Sequence, residues 1–172
     1  MAMIFITSDT HYGHSNILNY CPNRKFSTIE EHDQHLVEQW NKRVSSNDMV
    51  FHLGDFCFGP SSVGCEILDR LNGSKILVAG NHDTRALKNK SFRQKFLSVK
   101  DSYFEINIDN NFFVFCHYPL ESWNKMRYGS YHFHGHTHTP EGETRLKPLS
   151  HRKDVGVDSR GDHAPWLITE LL

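Results

Sequence analysis

Short apolar runs alternate with segments of helical periodicity through the first half of the chain. The runs Met3–Thr7, Asp48–Leu53 and Lys75–Ala79 have the length and the β-branched content of buried strands. Between them, apolar residues recur at helical spacing in Ser27–Val44 and in Ser61–Leu71. This alternation predicts strands that pair in parallel, with the helices packed on the sheet.

The ends of the two predicted helices carry their own markers. Ser27 and Glu30 have the spacing of a capping box, so we expect the first helix to begin at Ser27. Asn72-Gly73 supplies a C-terminal stop after the second helix. The basic stretch from Lys88 to Lys100 is interpreted as a solvated helix face, with a weak nucleic-acid patch as the alternative.

The hydrophobic period changes to two in the second half of the chain. Tyr103–Ile108 and Asn111–Cys116 flank Asp109-Asn110, which predicts a β-hairpin. Tyr131–His134 is another short strand. The whole pattern indicates a mixed α/β (α+β) sandwich with parallel pairing in its first half. Late strands are predicted at Val155–Val157 and Trp166–Thr169.

Composition narrows the class of protein. A length of 172 residues suits one domain, which we expect to span residues 1–172. A formal net charge of −1 argues against attachment to nucleic acid or anionic lipid by bulk charge. We expect a cytoplasmic protein with no membrane partner, since no apolar run approaches the roughly 18 residues of a membrane helix. The 13 histidines far exceed ordinary usage and direct attention to metal chemistry.

Residue types that bind metals follow the predicted strands at the point where each strand ends. Asp9 and His11 follow the first strand, and Asp55 follows the second. Because the carboxyl ends of strands in open α/β sheets meet at one edge, we expect these side chains to converge. The pattern continues along the chain with Asn81, His82, His117, His136 and His138.

The chemistry of this set favours two metal ions. Carboxylate, amide and imidazole ligands without a thiolate suit ions of intermediate hardness, with Mn²⁺ favoured and Fe, Zn or Ni as alternatives. Seven candidate ligands exceed the three protein ligands that one catalytic zinc ion typically uses. Two ions that share a carboxylate would each receive about four protein ligands and would acidify a shared water for attack at phosphorus.

The polar clusters resemble the five ordered motifs of the calcineurin-like metallophosphoesterase superfamily. The match extends from residue 9 to residue 138, and Ser8–His14 and His117–Leu120 resemble a small, single-domain bacterial or phage branch. The motifs are Asp9-Thr10-His11, Gly54-Asp55, Gly80-Asn81-His82-Asp83, His117 and Gly135-His136-Thr137-His138.

The resemblance implies a fold and a role for each motif residue. The fold would be a sandwich of two β-sheets covered by helices on both sides. His82 would contact the scissile phosphate and protonate the leaving oxygen, and Asp83 would accept a hydrogen bond that orients His82 or the turn. Asp9, His11 and His138 would bind one ion, Asn81, His117 and His136 the other, and Asp55 both.

Several residues outside the motifs have open interpretations. His14 could bind substrate, contact a carboxylate behind the ligands or begin a helix. Between the fourth and fifth motifs, Trp123 and Arg127 (with Tyr128) could stack a base and pair a phosphate, although Trp123 could instead fix the loop to the core. Asp154 and Asp158 could each steady a ligand histidine or lie at a solvated strand end.

The resulting hypothesis is a dinuclear metal-dependent phosphoesterase, with phosphodiesters favoured over monoesters. A hydroxide held between the ions would attack phosphorus directly, without a covalent intermediate. The partner would be a phosphoester, for which a nucleotide and a nucleic-acid end are candidates. One alternative is a nuclease or RNA-end-processing enzyme, and a less favoured one is a metal-binding interaction module without turnover.

Overall fold

Nine strands and five α-helices are present in the computed structural model, which describes residues 2–172. The strands are β1 Ile4–Thr7, β2 Met49–His52, β3 Ser74–Val78, β4 Ser98–Lys100, β5 Tyr103–Ile108, β6 Asn111–Cys116, β7 Tyr131–His134, β8 Arg152–Asp154 and β9 Trp166–Leu167. The helices are α1 Ile17–Tyr20, α2 Ile29–Arg43, α3 Ser61–Arg70, α4 Thr84–Leu87 and α5 Lys90–Arg93, and 3₁₀ turns cover Met126–Tyr128, Val157–Ser159 and Ile168–Leu171.

The strands form two sheets. The first has the order β4-β3-β2-β1-β9, in which β1 to β4 pair in parallel and β9 runs antiparallel to β1. The second has the order β5-β6-β7-β8, with an antiparallel hairpin followed by two parallel pairings. The parallel pairing predicted for the first half of the chain is therefore confirmed.

Successive residues of the first sheet serve two separate hydrophobic cores. Phe5 and Val50 face a cluster shared with α2 and α3, which contains Trp40. Their neighbours Ile6 and Phe51 face the opposite cluster, between the two sheets. This alternation is the period-two consequence of strand geometry. It explains why strands that are buried on both faces appear in the sequence as continuous apolar runs.

The predicted two-sheet sandwich flanked by helices is confirmed, but the cover differs between the sheets. Helices α2 and α3 pack on the outer face of the first sheet. On the outer face of the second sheet, the loop between β6 and β7 takes their place. In this loop the Leu120 backbone N–H donates to His132 Nε2 (3.0 Å), and Trp123 packs 5.2 Å from the His132 ring.

The hairpin was predicted with its observed bounds, whereas two helix predictions need correction. Helix α2 has Thr28 as its N-cap, because the Glu31 N–H donates to Thr28 Oγ1 and the Glu31 carboxylate accepts from the Ser27 N–H. The capping pair thus lies one residue later than predicted. The stretch Lys88–Lys100 contains only the short α5 before it enters β4, an edge strand with a single apolar residue.

Both late strands also differ from their predicted bounds. Strand β8 ends at Asp154, because the next residues leave the second sheet and contact the end of β1. There the Val157 N–H donates to the Ser8 carbonyl (3.0 Å), and Ser8 bridges Gly156. Strand β9 is limited to Trp166–Leu167, since a 3₁₀ turn begins at Ile168. No helix in residues 2–172 combines the length and apolarity needed to cross a bilayer.

Candidate metal centre

The loops that follow five strands bring the seven candidate ligands to one edge of the two sheets. Asp9 and His11 follow β1, Asp55 follows β2, and Asn81 follows β3. His117 follows β6, and His136 and His138 follow β7.

Asp9, His11 and His138 form the first group. His11 Nε2 lies 3.9 Å from Asp9 Oδ1, and His138 Nε2 lies 3.7 Å from the same oxygen. One donor atom from each residue lies within 4.8 Å of the others. The second Asp9 oxygen accepts the His136 backbone N–H at 2.9 Å, which ties this group to the loop after β7.

Asp55 lies between the first group and the remaining ligands. Its Oδ2 atom is 3.6 Å from His11 Nε2 and 3.4 Å from His117 Nε2. Its Oδ1 atom accepts the His82 backbone N–H at 2.9 Å. Despite burial, the hydrogen bond from His117 and the one from the His82 backbone keep the pKa of Asp55 below its ordinary value. Asp55 is therefore ionised at neutral pH, and one of its oxygens contacts a histidine of each group.

Asn81, His117 and His136 form the second group. His117 Nδ1–H donates to the Leu53 carbonyl at 2.8 Å, so Nε2 is the nitrogen that faces the other candidate ligands. Against burial, the hydrogen bond to Asp55 and the Asp9 and Asp55 carboxylates raise the pKa of His117 to about 9, so Nε2 must release a proton to bind a metal ion. That nitrogen lies 3.0 Å from Asn81 Oδ1, and the His136 ring centre is 5.1 Å from the His117 ring. The lone pairs of His117 Nε2 and Asn81 Oδ1 would repel each other at this distance unless a proton or a metal cation lies between them.

Unpartnered buried atoms show that the donor set fits metal cations. Asp9 Oδ1 and both ring nitrogens of His11 are buried without a hydrogen-bond partner. A buried polar atom without a partner costs about 1–3 kcal/mol, which a bound cation would offset. The set holds carboxylate, amide and imidazole donors around Asp55, so it suits divalent transition-metal ions.

The backbone at this edge adopts an uncommon conformation. Asp9, His11, Asp55, His136 and His138 have φ angles of 59°, 50°, 57°, 69° and 47°. Non-glycine residues rarely occupy this left-handed region, and strain of this kind concentrates at functional sites. Hydrogen bonds hold it in place, for example from the Asp9 N–H to the Gly54 carbonyl (3.0 Å).

Two glycines allow the loops to approach one another. A Cβ atom on Gly54, whose φ is 96°, would lie 2.5 Å from the Gly80 nitrogen. A Cβ atom on Gly135 would overlap the Asp9 carboxylate and the Ser8 hydroxyl. A side chain at either position would therefore separate the strand-end loops that carry the candidate ligands.

His82 and Asp83 occupy different environments. The His82 side chain is 41% exposed, and its Nε2 atom lies 4.0 Å from Asp55 Oδ2. Asp83 is buried and accepts the backbone N–H groups of Asp55, Phe56 and Gly80 at 2.8–2.9 Å. Of the two roles left open for Asp83, this geometry favours orienting the turn. Burial raises the pKa of Asp83 to about 6, although these hydrogen bonds oppose the shift.

Burial also controls the charge of the first group. It raises the pKa of Asp9 to about 6, against the attraction of His138 and His117. It lowers the pKa of His11 well below the ordinary value, so this ring is neutral and able to bind a metal. At His138 burial is outweighed by hydrogen bonds to Asp158 and Cys21 and by the Asp9 carboxylate, which raise the pKa to about 10.

A buried ionic network lies behind the first group, and sequence reasoning missed most of it. We call Arg24, His32, Asp33 and Asp158 the ionic support. Arg24 donates through Nε and Nη2 to the two Asp158 oxygens (2.8 and 2.7 Å) and through Nη2 to the Asp9 carbonyl (2.7 Å).

The ionic support continues in two directions from Arg24. Asp158 Oδ2 accepts from His138 Nδ1–H at 2.8 Å, so it fixes the ring with Nε2 towards Asp9. His32 accepts from Arg24 Nη1 (3.2 Å) and donates to Asp33 (2.8 Å). Asp158 thus takes the histidine-steadying role that the sequence left open. Asp154 contacts Thr137, between two candidate ligands, and accepts the Gly156 N–H (2.8 Å).

The second sheet holds a different arrangement on β6 and β7, the strands that lead to His117 and His136. We call Trp123, His132 and His134 the neutral support. His132 Nδ1–H donates to the Val114 carbonyl (3.0 Å), and His134 Nδ1–H donates to the Gly135 carbonyl (2.9 Å). Burial lowers the pKa of His132 to about 4, despite the bond to Val114. These rings are therefore uncharged and are held mainly by backbone groups.

The substrate residues suggested by the sequence lie in three different settings. His14 stacks on Phe58 with ring centres 4.2 Å apart and lies 5.4 Å from the His11 ring. Trp123 is 8% exposed and donates its indole N–H to the Ser130 hydroxyl (3.0 Å), which favours the packing alternative. Arg127 and Tyr128 are exposed on a 3₁₀ turn of the same loop. Substrate contact by these residues stays a prediction.

The class of protein follows from a family comparison that covers most of the chain. Residues 2–151 match the calcineurin-like phosphoesterase superfamily domain, so the chain belongs to this family, as the motifs indicated. An uncharacterised protein of Methanocaldococcus jannaschii is 33% identical over 140 residues, which cover 80% of this chain and 70% of that protein. Gene 66 protein of Mycobacterium phage L5 is 26% identical over 190 residues, which cover 94% of this chain and 89% of that protein.

Solved structures share the fold. A protein of unknown function from Aquifex aeolicus has a TM-score of 0.77 and 25% identity, with coverage of 99% of this chain and 98% of that chain. An archaeal phosphodiesterase has a TM-score of 0.51 and 21% identity, with coverage of 89% of this chain and 81% of that chain.

Proposed function

We propose that the protein is a phosphodiesterase that depends on two divalent metal ions. The observation that carries this proposal is the position of Asp55, whose Oδ2 atom lies 3.6 Å from His11 and 3.4 Å from His117, with His82 at 4.0 Å. A carboxylate between two groups of metal-binding side chains suits a pair of ions that share it. Membership of a phosphoesterase family supports phosphorus as the reaction centre.

The chain offers a separate set of ligands to each ion. When bound, the pair of ions supplies Lewis acidity and a water of lowered pKa. We favour Mn²⁺, with Fe, Zn or Ni as alternatives, because these ions accept mixed oxygen and imidazole ligands. Asp9, His11 and His138 would hold one ion, Asn81, His117 and His136 would hold the other, and Asp55 would contact both.

His82 has the position of a general acid. Its side chain is partly exposed beside Asp55, where a leaving oxygen can reach it. Its backbone N–H donates to Asp55 Oδ1, which holds the His82 backbone beside the shared carboxylate. An alkoxide leaves poorly without a proton, and a positioned acid contributes roughly 10²- to 10⁴-fold. This role favours diesters with alkyl leaving groups, while Asp83 holds the turn that carries His82.

Hydrolysis of bis(4-nitrophenyl) phosphate with Mn²⁺ tests the proposal. The wild type should turn over, and Asp55→Asn should lose about 10³-fold or more in kcat/KM, because the shared ligand loses its negative charge and one of its two ligating oxygens. Asp101→Asn, an exposed aspartate, is the matched control and should retain activity. Lack of turnover by the wild type on a panel of phosphodiesters and phosphomonoesters would contradict the proposal and favour a metal-binding interaction module.

The acid role has its own measurement. His82→Ala should keep both ions by elemental analysis and should lose more rate on alkyl esters than on nitrophenyl esters, whose leaving group needs little protonation. An equal loss on both classes of ester would exclude His82 as the acid.

A further inference from the structure

An open cleft of about 450 Å³ lies beside the candidate metal centre. Its inner wall is formed by His11, His82 and His138, so a group in the cleft is adjacent to the proposed reaction centre. The volume lies in the range of small-molecule sites in proteins. Its outer wall includes His14, Ile17, Tyr20, Phe58 and Arg145.

Two aromatic rings in the outer wall are exposed. Tyr20 is 69% exposed and Phe58 is 43% exposed, although both are large apolar side chains. The Phe58 ring stacks on His14 at 4.2 Å and meets His82 edge-on at 5.3 Å. Tyr20 meets His14 edge-on at 6.1 Å. The rings therefore surround a space that can receive another planar ring.

The backbone that carries these rings is fixed by hydrogen bonds. The Phe58 N–H donates to the Tyr12 carbonyl (2.9 Å), so it joins the loop that carries Asp55 to the loop that carries the candidate ligand His11. Tyr20 ends α1, where its N–H donates to the Asn16 carbonyl (3.2 Å). A cleft on such a framework is already shaped before a ligand binds, which lowers the entropic cost of binding.

Positive charge is also present in the wall. Arg145 is the single arginine or lysine among the residues that line the cleft. Its guanidinium donates to the Thr137 carbonyl at 2.8 Å, between the candidate ligands His136 and His138. It therefore lies where the negative charge of a bound phosphate would attract it.

We propose that this cleft receives a planar aromatic group carried on one ester arm of the substrate, as the nucleobase of a nucleotide diester is. The inference rests on the proposed function, because the phosphate of the same molecule would lie at the metal centre. Stacking on aromatic side chains tolerates any base, and each stacked base is worth about tenfold or more in binding. The cleft would therefore favour esters that carry an aromatic base over esters that lack one, without distinguishing between bases.

Two diesters that differ only in the base provide the test. They are the methyl ester of thymidine 5′-phosphate and the methyl ester of the corresponding abasic deoxyribose 5-phosphate. With Mn²⁺, the wild type should show a kcat/KM at least about tenfold higher for the thymidine compound. Tyr20→Ala should reduce this preference several-fold and leave hydrolysis of the abasic compound unchanged. Tyr103→Ala, an exposed tyrosine on β5, is the matched control.

Calorimetric binding separates failure of the cleft from failure of the catalytic proposal. Thymidine 5′-monophosphate should bind the Mn²⁺-loaded protein about tenfold more tightly than deoxyribose 5-phosphate, and Tyr20→Ala should reduce this difference several-fold. This preference without any turnover would reject the phosphodiesterase and retain the cleft. Equal affinity and equal kcat/KM for the compounds with and without the base would overturn the inference. An equal loss of kcat/KM on both compounds in Tyr20→Ala would also overturn it.

Discussion

The two groups of candidate ligands are supported by chemically opposite surroundings. Behind the first group, the ionic support buries Arg24 against Asp158, and Asp158 contacts His138 at 2.8 Å. On β6 and β7, which lead to His117 and His136, the neutral support holds uncharged histidines by backbone groups, as at His132 and Val114. The first group is itself largely buried, whereas Asn81 and His136 of the second are exposed.

The difference indicates that the stability of the two supports responds to different changes, the ionic support to loss of a charge and the neutral support to pH. A buried ion pair carries a large desolvation penalty, so loss of one partner leaves the other charge uncompensated. A buried neutral histidine is insensitive to the loss of a distant charge but is destabilised when it must take up a proton. Substitution should therefore disrupt the ionic support most, and acid should disrupt the neutral support most.

Arg24→Met should have the largest effect on stability. The substitution removes the guanidinium that binds both Asp158 oxygens, leaves His138 as the remaining cation beside that buried carboxylate, and removes the donor to the Asp9 carbonyl. We therefore expect a loss of about 3–5 kcal/mol. Urea denaturation of the metal-free protein measures it. Arg43→Met breaks a surface pair with Glu170 and should cost about 1 kcal/mol or less. Equal losses in the two variants would remove the distinction between buried and surface pairs.

Acid should destabilise the protein through His132. Its pKa is about 4 in the folded protein and about 6.5 in the unfolded chain. The unfolded chain takes up this proton first as the pH falls. The stabilising contribution is therefore complete above pH 6.5 and is lost progressively towards pH 4, with a total of about 3 kcal/mol.

Denaturation at several pH values checks this prediction. Between pH 7 and pH 4, the wild type should lose about 3 kcal/mol more than His132→Asn, which has no ring to protonate. NMR titration of the His132 ring is the direct control, because it should stay neutral at pH 5. A ring that titrates near pH 6.5 would contradict the assignment of a neutral support.

The sequence was sufficient for features that local pattern specifies. Hairpin residues Asp109 and Asn110 have positive φ angles of 47° and 66°, as the turn requires, and alternation defined both flanking strands. The candidate ligands were found because they directly follow apolar strands, and strand ends converge. Nothing in their residue types disclosed the left-handed backbone at Asp9 or Asp55, which depends on packing between loops.

The features that were missed depend on tertiary burial. Arg24 lies in a polar segment without periodicity, and only the fold places it between Asp158 and the Asp9 carbonyl. An arginine in such a segment is ordinarily a surface residue. Strand β4 has one apolar residue, so its pairing with β3 determines its structure. The bond between Asp158 and His138 was an open alternative because 20 residues separate them.

Asp158→Asn should weaken metal binding at the first group. The amide oxygen can still accept from His138, but the negative charge that holds the ring and raises its basicity is lost. We expect a 10- to 100-fold lower affinity for one of two Mn²⁺ ions. Calorimetric titration measures both affinities. Asp162→Asn, which breaks an ion pair with Arg160 at the surface, is the matched control and should leave both affinities unchanged. Equal weakening of both ions would show that Asp158 does not act on one group alone.

Trp123→Phe should have the smallest effect and should decide between the two roles left open for Trp123. The phenyl ring keeps most of the packing on His132 but loses the indole N–H bond to Ser130, which costs about 1 kcal/mol of stability. The kcat/KM for bis(4-nitrophenyl) phosphate should not change, because the ring faces the protein interior. A fall in kcat/KM with unchanged stability would instead place Trp123 at the substrate and remove it from the neutral support. Since His132 and Ser130 both contact its ring, a structural effect should appear as lower stability at every pH.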